Sequence, residues 1–95
     1  MSAITINAIL TAKPGKEDLL LKELQAVLEP SRAEAGCVQY VLHESMEKQG
    51  VFVFYEIWKD EEALKAHVEA DHYKNYREKT ADLVAERQVF RLRQI

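Results

Sequence analysis

Cysteine is almost missing from this chain. Cys37 is the only one, so no intrachain disulfide can form and the cytoplasm, a reducing compartment, is the expected home. Two prolines and three glycines leave no room for a disordered linker. No apolar run is long enough to cross a bilayer, and Met1-Ser2-Ala3-Ile4-Thr5 carries no basic leader, so neither membrane insertion nor secretion is expected. Charge of one sign is lacking as well. The net charge is −3, with lysines and arginines mixed among acids, and there is no one-signed patch to hold a phosphate backbone, which argues against nucleic acid as a partner. What is present is 47% hydrophobic and 31% charged, a globular composition, and 95 residues suffice for one domain, 1–95, with a modest core.

Ile4 to Thr11 alternates as a strand, with Asn7 as its polar member. Asparagine inside a strand has a hydrogen-bonding task, either to a neighbour or to a ligand. Pro14-Gly15 ends that strand, and Leu20, Leu21, Leu24, Val27 and Leu28 then recur at helical spacing from Lys16 to Glu29. Pro30 is expected to break this helix, and Ser31-Arg32-Ala33-Glu34 has the form of a capping box for a short second turn ending at Gly36. The charged residues here read as a solvated face. Cys37 to Glu44 is a second strand, with Val38, Tyr40 and Leu42 on one face and Cys37, Gln39, Val41 and His43 on the other. Cys37 reads as a buried structural thiol, and His43, near the strand end, as solvent-facing or as a pocket residue. A polar turn through Glu47-Lys48-Gln49-Gly50 makes a hairpin with the next strand.

That next strand, Val51 to Trp58, is apolar on both sides except for Glu56, which shares one face with Phe52, Phe54 and Trp58. A carboxylate in an aromatic row is ion-paired, raised in pKa by desolvation, or at the lip of a cavity. Asp60 is a good cap for a helix whose inner stripe would carry Ala63, Leu64, His67 and Val68, and Asp71 for another from His72 to about Asp82 carrying Tyr73 and Tyr76. Those tyrosines read as core or as ligand-stacking groups. His67 and His72, five positions apart, would point about 140° away from each other on one continuous helix, so no metal site is expected from them. A two-histidine, one-carboxylate site would need His43 or Glu56 to join them. Gln88 to Ile95 closes the chain as an edge strand.

The order strand, helix, strand, strand, helix, strand is that of an α+β ferredoxin-like βαββαβ sandwich, with both helical segments on one face. Because the third strand is apolar on both sides, the other face needs a cover, and a second copy of the sheet supplies it, so a homodimer is expected.

Pro14-Gly15, the run Pro30 to Cys37, Tyr40, His43, Phe54-Tyr55-Glu56-Ile57-Trp58, Ala63-Leu64-Lys65-Ala66-His67 and Asp71-His72-Tyr73 occur in an order that resembles the antibiotic biosynthesis monooxygenase family. The likeness covers nearly the whole chain. It implies a dimeric α+β barrel with a cavity between sheet and helices, and oxygenation of a quinol or polycyclic phenol without a cofactor. Under it, His67 is the base that deprotonates the substrate, with Glu56 or His72 orienting it, and Asn7 bonds the substrate oxygen or peroxide. Trp58 walls the pocket, and His72, Tyr40, Tyr76 and His43 complete the candidate substrate contacts. The haem-degrading branch of the family is matched at Asn7, but its tryptophan and histidine positions fall on His67 and near Arg77. A branch that isomerises a phosphorylated autoinducer sugar is resembled at Tyr55-Glu56, Lys65-Ala66-His67 and Asp71-His72-Tyr73, and a non-catalytic ligand-binding dimer is the remaining alternative.

Overall fold

A computed structural model describes residues 3–95; Met1 and Ser2, the start of the segment read as having no basic leader, lie outside the described residues. The elements run β1 (Ile4–Ala12), α1 (Glu17–Ala26), α2 (Leu28–Arg32), β2 (Cys37–Glu44), β3 (Val51–Trp58), α3 (Glu61–Glu69), α4 (Asp71–Thr80) and β4 (Val84–Leu92). The strands form an antiparallel sheet in the order β2-β3-β1-β4. This is the ferredoxin-like α+β arrangement, with each helical crossover broken in two. No helix of the described residues is long and apolar enough to cross a membrane.

Both breaks have local causes. Pro30 does not end a helix but lies inside α2. A proline ring crowds the carbonyl four residues back and donates no N–H. That carbonyl belongs to Ala26, where α1 ends, and the chain restarts at Leu28 so that Pro30 falls in the first turn of α2. The expected capping box at Ser31 is therefore absent, and Ser31 is buried within the helix. Farther on, Ala70 is extended (φ −70°, ψ 146°) and separates α3 from α4. Asp60 caps α3 as expected, its Oδ1 accepting from the Ala63 N–H at 2.8 Å. Asp71 is instead the first residue of α4, which has no side-chain cap.

Alternation along β1 and β3 sends Ile6, Ala8, Leu10, Phe52, Phe54, Glu56 and Trp58 to the buried face under the helices. Leu20, Leu24, Val27 and Tyr76 meet this face from α1, α4 and the bend at Val27. On the far side Ile9, Val53, Tyr55 and Ile57 are half-buried, and Phe90 is exposed. Two faces differ from the sequence reading. A bulge shifts the β2 register so that Cys37 pairs with Trp58 and Gln39 with Ile57, which turns Cys37 to the helix side and leaves Val38 exposed. Cys37 is half-buried rather than buried, and burial pushes its thiol up, which lowers the share of reactive thiolate. Val68, placed on the inner stripe of α3, is exposed. The last strand starts earlier than expected, because Ala12 at the end of β1 pairs with Val84.

Gly36 is where the α2–β2 connection meets α3. A Cβ built there would lie 2.2 Å from Ala63 Cβ and 3.2 Å from Ala63 Cα, so any side chain must push the helix away. Gly36→Ala is expected to cost about 1–3 kcal/mol in overpacking, read as a lower denaturant midpoint; an unchanged midpoint would show that the contact yields freely.

Candidate functional site

Between the sheet and α3/α4 lies a cavity of about 420 Å³, within the ~300–1,000 Å³ range of small-molecule sites. Its floor is Ile6, Ala8, Phe54 and Glu56, its sides Tyr40, Leu64, His67, Tyr73 and Tyr76, and its rim Lys65, Arg87 and Arg91. Most of this lining is apolar or aromatic, with His67 and the charged Glu56, Glu61, Lys65, Arg87 and Arg91 set among it.

His67 is 1% exposed, on the buried stripe of α3. Its ring lies against Trp58 (centroids 4.3 Å apart, 30° tilt) and Tyr73 (4.8 Å). Nδ1 is 2.7 Å from Glu34 Oε2. A carboxylate only accepts, so Nδ1 carries the hydrogen and Nε2 keeps its lone pair. That Nε2 is buried and has no hydrogen-bond partner among the described residues. Burial holds the imidazole below its usual pKa, against the opposing pull of Glu34, which favours the neutral, basic form. Glu34 does not line the cavity, so the edge of His67 left to a ligand is the one opposite it.

Glu56 is 6% exposed and accepts a 2.9 Å hydrogen bond from Trp58 Nε1. Burial pushes it up to about 7, although the Trp58 bond and the Arg87 charge pull the other way. Trp58, fully buried, thus touches Glu56 through its N–H and His67 through its face; it backs the cavity rather than lining it. Tyr73 oxygen accepts from Arg77 Nη1 (3.1 Å) and Arg87 Nη2 (3.0 Å), which leaves its own O–H to donate. Burial pushes the Tyr40 and Tyr76 hydroxyls up, the latter to about 12, so both stay protonated.

Of the residues singled out from sequence, His67, Glu56, Trp58, Tyr40 and Tyr76 converge at this cavity. His72 is one step removed, its Nε2 2.7 Å from the same Glu34 oxygen that holds His67. Two residues do not belong. Asn7 sits opposite Tyr55 and Phe90 and so faces away from the helices, because the residue of β1 that pairs with Glu56 is Ile6. His43 pairs with Val53 on that same outer face and is exposed. Glu34, Tyr73 and Arg87 were missed as site residues. The carboxylate that joins the two histidines is Glu34, not Glu56 or His43, and their three donor atoms lie within 4.8 Å of one another. The extended Ala70 invalidates the continuous-helix geometry that set His67 and His72 apart.

Comparison with known proteins agrees with this architecture. The chain is 38% identical over 82 residues to the Bacillus subtilis protein named "Putative monooxygenase YcnE", spanning 86% of each. It is 34% identical over 83 residues to "Putative monooxygenase Rv0793" of Mycobacterium tuberculosis, covering 87% of this chain and 81% of that one. Among solved structures, PA3566 from Pseudomonas aeruginosa superposes with a TM-score of 0.96 at 34% identity, over 100% of this chain and 96% of the other. The sequence profile described as Antibiotic biosynthesis monooxygenase matches residues 3–79, which takes in β1 to β3 and all the helices but not β4, and the chain belongs to that family.

Proposed function

We propose that the protein is a monooxygenase that oxidises a quinol or polycyclic phenol with dioxygen and needs no cofactor to do so. The observation that carries this reading is the buried, unpartnered Nε2 of His67 on the wall of a largely apolar cavity. His67 Nε2 takes the phenolic proton, and the Glu34 carboxylate at Nδ1 stabilises the imidazolium that results. The phenolate, unshielded by water, is electron-rich enough to reduce dioxygen. A carbon–oxygen bond forms at the activated ring carbon, and the peroxide takes back the proton held by His67; that carbon's hydrogen then passes to His67 as a proton while the oxygen–oxygen bond breaks, one oxygen staying as the quinone carbonyl and the other leaving as water. The substrate supplies every electron that dioxygen takes up, so no outside reductant enters. Tyr73 donates its O–H to the developing oxyanion, and Glu56, poised near 7, delivers the proton that the departing hydroxyl needs. Oxygen uptake by chelator-treated, flavin-free protein with a polycyclic hydroquinone is the test. Uptake matching substrate loss is expected; uptake only after added iron or flavin overturns the cofactor-independent mechanism.

A second reading is favoured by one feature of the rim. Lys65 and Arg87 line the cavity, and Arg87 is bonded to the Tyr73 phenol rather than to a carboxylate, an arrangement suited to a phosphate group. An isomerase of a small phosphorylated sugar would turn over under nitrogen.

A homodimer through the outer sheet face belongs to the same proposal. What supports it is the apolar row of Ile9, Val53, Tyr55 and Ile57, half-buried with no helix over it, beside exposed Phe90. Sedimentation at micromolar concentration is expected to give twice the chain mass of 11.0 kDa; a persistent monomer overturns this. Cytoplasmic residence of a single 1–95 domain completes the proposal and accords with the lone, half-buried thiol.

A further inference from the structure

We propose that Glu34, His67 and His72 form a binding site for a borderline divalent metal such as Zn²⁺ or Co²⁺, and that occupancy of this site turns off the base in the cavity. The three ligands come from three separate elements: Glu34 from the α2–β2 connection, His67 from the end of α3 and His72 from the start of α4. Two features bring them to one point. Gly36 lets the connection close against Ala63, one helical turn from His67, and the extended Ala70 swings the two imidazoles to 6.1 Å between centroids. Glu34 Oε2 already sits 2.7 Å from both ring nitrogens, and all three donor atoms lie within 4.8 Å. Ligands bonded at roughly 2.0–2.2 Å to one ion can be no more than about 4.4 Å apart, so an ion fits once the rings turn inward and the Glu34 oxygen backs away from its 2.7 Å contacts. Two imidazoles and one carboxylate are the donor set of zinc and its neighbours, with a further position left to water. Access is graded: the side chains of His67, Glu34 and His72 are 2%, 15% and 26% exposed, so an ion enters past His72 and not through the cavity.

The consequence for His67 follows from the chemistry of a neutral imidazole, which has one hydrogen for two nitrogens. A metal on Nδ1 moves that hydrogen to Nε2, the ring nitrogen away from Glu34. His72 likewise shifts its hydrogen to its other nitrogen, so no proton leaves either ring, and the lone pair that would accept the substrate proton is gone.

The site itself is independent of the oxygenase reading; only its inhibitory effect rests on that reading. The full chain, stripped with chelator, is titrated with Co²⁺ and followed by visible absorption, with Zn²⁺ as competitor and no substrate present. One equivalent is expected, and affinity falls at least about 100-fold in His72→Ala and in Glu34→Gln, each checked for folding by circular dichroism, while His43→Ala on the far face binds as before. Absence of stoichiometric binding in the unaltered chain, or equal affinity in all variants, overturns the site and leaves a purely hydrogen-bonded triad. With hydroquinone and oxygen added, saturating Zn²⁺ is expected to stop uptake. Zn²⁺ bound at one equivalent with uptake unchanged overturns the switch, whereas no uptake in the metal-free chain refutes the oxygenase reading and leaves the site to be judged by the titration alone.

Discussion

Replacing His67 with asparagine is expected to slow oxygen uptake about 100- to 10,000-fold, the usual worth of a positioned general base. Asparagine is the informative choice because its amide N–H can still donate to Glu34 in place of Nδ1–H, while the Nε2 lone pair has no counterpart. The loss then reports the missing base and not a collapsed triad. Its signature is a fall in kcat, with substrate binding, set mainly by Tyr40, Phe54, Tyr73 and Tyr76, changing far less. Uptake within a few-fold of the unaltered protein would move the base elsewhere, with Glu56 the next group lining the cavity.

The second large effect concerns stability and pH at Glu56. Burial raises its pKa from 4.5 to about 7, a difference worth about 3 kcal/mol. The folded state therefore holds a proton that the unfolded chain has lost, and the sign follows. The protonated carboxyl is no burden below 4.5; between 4.5 and about 7 folding stability falls as pH rises; above about 7 the full penalty for a buried charge is present. Glu56→Gln keeps an acceptor for Trp58 Nε1–H and abolishes the titration. At pH 8 the variant is expected to be more stable by up to about 3 kcal/mol, and near pH 4 to match the parent, as measured by denaturant unfolding across that range. A stability difference that is flat with pH would show that Glu56 is ionised without cost, through water or an ion partner. A carboxyl that is costly to ionise in the floor of a cavity fits the proton-donor role proposed for it.

The aromatic row of β3 was readable because a strand's period of two is local: once Phe54 faces the core, Glu56 and Trp58 must too. The helical stripe that places His67 inward was readable for the same reason, although Val68, at its edge, is exposed. Asn7 was assigned wrongly because parity within β1 says nothing about which of its faces meets that of β3. A single residue of register, Ile6 rather than Asn7 opposite Glu56, decides the matter. Glu34 was hidden by a stronger local pattern. Ser31-x-x-Glu34 looks like a helix start, and only Pro30 lying within α2, with Gly36 against Ala63, frees that carboxylate to reach two other helices. The separation of His67 from His72 failed because it took the angle of one continuous helix, although Asp71 already signalled a second helix start; the extended Ala70 sets the two rings by a turn of the chain instead. Tyr73 and Arg87 come together across 14 positions and are visible only once β4 lies beside β1.

Trp58 is the only indole in the chain. Its N–H is bonded to the one carboxyl on the cavity floor, and its ring lies on the imidazole above. Any proton that arrives at or leaves either group alters the electric field across the chain's brightest fluorophore, without a label being added. The residue that backs the cavity is thereby also its built-in optical gauge, free of background from a second tryptophan.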